Sequence, residues 1–179
     1  MGKKKLTKYQ WLVTLFLMLV YSLTVQIVAR PLLTKQVLHN GSAIPTSSTT
    51  LLFWLNLIVI FVSLLMLLFQ AIIYRIIATV LGTNREYSIG YSIFLLTIAV
   101  LPLSIVEAVA TLIFHQDNLF SSKIVTNSIS SVLSVLIYSL GLKYMNIITK
   151  KQLIVLSSIL IILNIIMSLI GGFSNPRFQ

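Results

Sequence analysis

Long apolar runs alternate along this chain with short stretches that are polar, basic or turn-forming. A helix rises 1.5 Å per residue, so about 20 mainly apolar residues are needed to cross the hydrocarbon of a bilayer. Five segments meet that length: residues 9–29, 51–73, 88–114, 124–142 and 152–170. The pattern predicts an all-α fold, an integral membrane bundle of five transmembrane helices. The second and third runs exceed the need, which predicts tilt or a start inside the headgroup layer. The opening "MGKKKLTK" resembles the basic start of a signal peptide. The apolar run after it is longer than a signal core of about 7–15 residues, and no small-residue cleavage site follows, so it reads as a retained first span.

Composition strengthens this picture. Hydrophobic residues are 58 % of the chain and charged residues 9 %, against about 25 % charged in a soluble domain. A soluble protein of 179 residues has no way to hide that much apolar side chain from water. Cysteine is absent, which excludes disulfides and thiolate metal sites. The net charge of +10 lacks a soluble basic domain to carry it, so no nucleic-acid partner is expected and the charges read as membrane flanks.

The flanks also predict orientation. With the N-terminus inside, nine basic residues fall on the inner side: Lys3, Lys4, Lys5, Lys8, Arg75, Arg85, Lys143, Lys150 and Lys151. Four fall outside: Arg30, Lys35, Lys123 and Arg177. The positive-inside bias therefore predicts a cytoplasmic N-terminus and an external C-terminus. Residues 1–8 form a basic cytoplasmic tail, 9–170 one transmembrane domain, and 171–179 a short external tail.

Helices in lipid gain little by hiding leucine from one another, so small and hydrogen-bonding residues should mark their contacts. In the second span Asn56, Ser63 and Gln70 fall seven apart, on one helix face. In the fourth, Asn127, Ser131, Ser134, Tyr138 and Gly141 follow steps of four and three; in the fifth, Ser157, Asn164, Ser168 and Gly171 do nearly the same. Ser22 and Gln26 sit one turn apart in the first. These stripes are expected to face inward as packing contacts rather than as a polar path, with spans four and five forming a close antiparallel hairpin.

The third span holds "AVLPLSIVEAVATL". Pro102 removes a backbone hydrogen bond and predicts a kink, leaving the carbonyl of Ile98 to find another partner. Glu107 lies about 25 Å across if hydrocarbon begins near Gly90, and it shares a face with Ser104 and Thr111. An acid at such depth costs about 2.5–3.5 kcal/mol on insertion scales. Three roles are open to it: a structural hydrogen bond or ion pair with Lys123 or Arg30, a carboxylate reached by water, or a ligand or proton site.

Catalytic motifs are missing: there is no His-Glu-x-x-His, Gly-x-Ser-x-Gly, Ser-x-x-Lys or phosphate-binding Gly-rich loop. His39, His115 and Asp117 share the predicted outer side, but no ligand pair falls on one helix turn to hold zinc. Neither enzymatic activity nor a cofactor or metal is expected.

The stretches "YRIIATVLGTNREYSIGYSIFLLTIAVLPLSIV" and "LIYSLGLKYMNIITKKQLIVLSSILIILNIIM" resemble the Yip-type domain, a family named for interaction with Ypt/Rab GTPases and also found in bacterial membrane proteins. The resemblance lies in Leu81-Gly82 with Tyr87 soon after, in Leu101-Pro102-Leu103 and in the Lys150-Lys151 pair, and it covers residues 51–170. It implies five spans with a cytoplasmic N-terminus and the C-terminus opposite. The chain departs from the family in having Thr83 where members often carry a second glycine. It also lacks the long acidic cytoplasmic region of eukaryotic members, so GTPase binding is not carried over. The Ile/Leu/Lys/Asn-heavy composition points to a bacterial plasma membrane.

The expected function is a non-enzymatic, Yip-like membrane protein that binds or organises other membrane proteins or lipids, with self-association also open. Arg75 and Arg85 are its candidate headgroup contacts and Glu107 its candidate interior site. A small-molecule-binding subunit of a transporter and an immunity-type protective protein are the alternatives.

Overall fold

Two similar pentapeptides, Leu-Thr-Lys-Tyr-Gln at 6–10 and Ile-Thr-Lys-Lys-Gln at 148–152, start two of the helices in the same way. The Thr7 hydroxyl accepts from the Gln10 amide N–H at 3.2 Å, and the Gln10 side chain accepts from the Thr7 N–H at 3.0 Å. Thr149 and Gln152 repeat the exchange at 3.3 and 2.7 Å. Each is a capping box, which satisfies N–H groups that a helix start otherwise leaves bare. A third helix begins just after Ser88, whose hydroxyl accepts from the Tyr91 N–H.

The structure, a computed structural model, describes residues 4–40, 48–114 and 123–173; within these, side chains 36, 38–40, 48, 114, 123–127 and 168–173 are left undescribed. Five helices make up the described chain: α1 (Lys8–Asn40), α2 (Ser48–Val80), α3 (Ile89–Phe114), α4 (Lys123–Tyr144) and α5 (Lys150–Phe173). Among the described residues the β-structure is one isolated bridge, Lys4 with Tyr87.

The connections tie one end of the bundle together. Lys4 N–H donates to the Glu86 carbonyl and Ser88 N–H to that of Lys4, while Asn84 N–H donates to Ile147. The Gln152 amide donates to the Gly82 carbonyl. Starts of α1, α3 and α5 and ends of α2 and α4 therefore share this end, so helices consecutive in sequence run in opposite directions. Lys4, Lys5, Lys8, Arg85, Lys143, Lys150 and Lys151 gather there, and we refer to it as the basic end. α2 stops at Gly82 with φ of 81°, and α4 stops at Asn146 with φ of 55°; both use the left-handed conformation that closes helix C-termini. Gly82→Ala should cost about 1–2 kcal/mol, since a Cβ is strained at that φ. The thermal midpoint in detergent should fall by about 2–8 °C.

α3 is the central helix, packed on α1, α2 and α4; α4 pairs with α5, while α2 and α5 approach each other sparingly. Close approach of α1 to α3 depends on Gly90, where a Cβ would sit 2.8 Å from the Trp11 ring. The core is Tyr74, Tyr87, Tyr91, Tyr138, Leu96, Leu142, Ile147, Leu156 and Leu160 with small residues between them. Much of the outside is apolar. On α2, Phe53, Trp54, Phe61, Met66 and Phe69 are each more than half exposed, a surface that water would not tolerate in one contiguous band.

Four helices, α1, α2, α3 and α5, are long and apolar enough to cross a membrane. The expectation of five such spans is met only in part. α4 runs from Lys123 to Tyr144, and among its described side chains the apolar stretch is Ser128–Tyr144. The helices also outrun the predicted spans: α1 continues through Pro31 to Asn40, and α2 runs on to Val80. Apolarity fades before helical hydrogen bonding does, so hydropathy marks the lipid-crossing part and not the helix end.

Candidate functional site

Tyr74 lies where α2, α4 and α5 converge, and its side chain is fully buried. Gln70, one turn away on α2, donates its amide to the Tyr74 hydroxyl at 2.9 Å. Asn164 on α5 donates to the same hydroxyl and to the Leu160 carbonyl. The Tyr74 ring meets that of Tyr138 edge-on, with centroids 5.2 Å apart. A buried amide without a partner costs about 1–3 kcal/mol, so these two helices are held in register by groups that have no better alternative.

A second chain of hydroxyls runs from Tyr138 toward the basic end. Ser92 donates to the Ala71 carbonyl at 2.8 Å. Its single proton is thus spent, and Tyr138, 2.7 Å away, must donate to Ser92. Tyr87, 3.3 Å from Tyr138, then donates in turn. The order Tyr87, Tyr138, Ser92, Ala71 has one direction. Burial pushes the Tyr87 phenol above its ordinary range, against the opposing pull of the Arg75 charge. Arg75 Nε donates to the Tyr87 carbonyl at 3.0 Å, so this cation braces the loop that leads into α3.

Beyond this tyrosine floor, on the side away from the basic end, the bundle opens into a cleft of about 450 Å³ to which all five helices contribute. The sparing contact between α2 and α5 leaves the space. Glu107 stands on its wall, half-buried, and its Oε1 accepts from the Ser130 hydroxyl at 3.1 Å. Gln70, Asn164, Ser104, Ser131 and Ser134 are the cleft's other polar lining residues. Tyr21 lines it from α1, within the field of the carboxylate. Val100, Leu103 and Met167 supply an apolar side. None of the described lining residues is cationic.

The residues singled out from sequence take different places. Gln70, Glu107, Ser134 and Asn164 come together at the cleft. Ser63 and Asn56 instead bond to carbonyls of their own helix, Ile60 and Leu52, and the Asn56 Oδ1 is buried without a partner. Pro102 lies within a continuous α3 and faces outward, exposed, rather than into a packing contact. Arg85 is exposed on the loop at the basic end. Glu107 forms no ion pair among the described residues, and Arg30, one of its two anticipated partners, is exposed. Thr111, expected beside it, donates to the Glu107 backbone carbonyl. The α4 stripe turns toward α3, where Tyr138 meets Ser92 and Gly141 meets Leu95; the hairpin with α5 forms through other contacts. His115 and Asp117, and the side chains of His39, Lys123, Asn127, Ser168 and Gly171, lie outside the described residues. Among those described, no group of His, Asp or Glu is placed to hold a metal.

Sequence reading missed Ser130, Tyr21 and Tyr74. Ser130 was legible in principle, because counting turns from the basic end puts it level with Glu107. Comparison with family models, with curated proteins and with solved structures finds no match to this chain.

Proposed function

We propose that this chain is a non-enzymatic membrane protein that holds an amphiphilic ligand, lipid or small molecule, in the cleft between its helices. The observation that carries this reading is the cleft itself: its volume lies within the range of ligand sites, about 300–1,000 Å³, and convergent polar groups share it with an apolar wall. A packing interface would close on these groups. In this reading α4 completes a five-crossing bundle, its serines turned to protein. In the same reading the basic end and the N-terminus are cytoplasmic and the C-terminus lies outside a bacterial plasma membrane, which the clustered lysines support through the positive-inside bias. Gentle-detergent purification followed by native mass spectrometry should find a small-molecule or lipid adduct that Leu103→Trp, a substitution filling the cleft, removes. Equal adducts on both forms would count against the cleft as the site. Reporter fusions should label the two termini in opposite compartments; labelling in one compartment would overturn the five crossings.

A second reading keeps the Yip-type resemblance at its centre, as a bundle that organises other membrane proteins. Its support is the apolar surface of α2, where Phe53, Phe61 and Phe69 are each more than half exposed among the described residues.

A further inference from the structure

Glu107 is the one acid among the described residues lining the cleft, and it is underused. A carboxylate offers about four lone-pair positions; the described structure fills one, with the Ser130 hydroxyl. The other polar groups facing the cleft are neutral hydroxyls and amides, which serve an uncharged ligand without any acid. A carboxylate adds one thing they lack, the capacity to carry a full negative charge. That is costly when unpaired and strongly attractive to a cation that brings its own apolar cover. Tyr21 stands on the same cleft, and an aromatic face stabilises a cation whose charge is spread over methyl or aryl groups. Val100, Leu103 and Met167 give the apolar body of such a molecule a surface to lie on.

We propose that the cleft selects a lipophilic cation, an apolar molecule carrying a protonated amine, quaternary ammonium or phosphonium centre, with Glu107 as counter-ion and Tyr21 beside it. This rests on the reading of the cleft as a ligand site. A metal ion is a poor occupant, since hard divalent cations ask for six or more oxygen ligands with several carboxylates among them. An anion is worse, facing Glu107 with no basic group among the described residues of the wall.

The test uses the full chain in nanodiscs of zwitterionic lipid, with three probes of similar shape: tetraphenylphosphonium, tetraphenylborate and neutral triphenylphosphine oxide. Empty nanodiscs give the partitioning background for each. Saturable tetraphenylphosphonium binding is expected, about tenfold or more weaker in Glu107→Gln, lost in Leu103→Trp, and absent for tetraphenylborate. Equal binding of the phosphonium and the neutral oxide, unchanged by Glu107→Gln, would overturn charge selection while leaving the cleft as a site. Saturable binding of the borate would likewise overturn it. If no probe saturates, or Leu103→Trp changes nothing, both the inference and the reading beneath it fall. Should Glu107→Gln not fold, the preference between the two ions in the unaltered protein decides alone.

Discussion

Tyr74→Ala should destabilise the bundle by about 4 kcal/mol or more, the largest single-residue effect expected in this chain. Truncating a buried aromatic costs about 3–5 kcal/mol through lost contacts and the cavity left behind. Here the ring packs edge-on against Tyr138 and is fully buried. The hydroxyl adds to this, because it accepts from both Gln70 and Asn164. With it gone, Gln70 keeps only its long bond to the Asn164 Oδ1 at 3.5 Å, and Asn164 keeps its bond to the Leu160 carbonyl. The thermal midpoint should fall by about 8–16 °C at 2–4 °C per kcal/mol. Tyr74→Phe separates the two contributions: it keeps the ring and removes the acceptor, and should cost about 1–3 kcal/mol. If the phenylalanine form is as stable as the unaltered protein, the amides do not depend on that hydroxyl. The idea that it sets the register of α2 against α5 then fails.

The same residue shows what the sequence carried and what it hid. Gln70 and Asn164 were visible because a polar side chain in an apolar run has few explanations, and each reaches another helix, Gln70 through Asn164 and Asn164 through Tyr74. Asn56 and Ser63 gave the same signal and turned back to their own backbone. Serine, threonine and asparagine can bond to a carbonyl three or four residues earlier, so a stripe fixes which face is polar but not what that face meets. Tyr74 escaped notice because a tyrosine near a helix end also fits the aromatic belt of a membrane protein. Burial alone distinguishes the two, and burial is a property of the other helices. The capping boxes at Thr7 and Thr149 are the opposite case. They depend on residues three apart, so they were fully written in the chain. The cleft was the least legible feature, because it exists where two helices fail to touch, and no local pattern records an absence of contact.

Glu107→Leu should make the protein more stable and abolish ligand binding. An intramembrane acid costs about 2.5–3.5 kcal/mol on insertion scales, and leucine at the same depth is favourable by a few tenths. The cleft is open, so water reduces that cost, and a gain of about 1–3 kcal/mol is expected, read as a thermal midpoint higher by about 2–12 °C. The loss on the other side is small. Ser130 gives up one acceptor, and a helical serine has its own carbonyls within reach, as Ser22 and Ser104 use those of Met18 and Leu101. A structural acid predicts the reverse sign: were Glu107 holding α3 to α4 through Ser130, removing it would lower the midpoint and Ser130→Ala would do the same. A residue that weakens the fold it sits in is kept for what it binds. The sign of the change in stability, measured with the ligand absent, therefore distinguishes a counter-ion waiting for a cation from a tie between two helices.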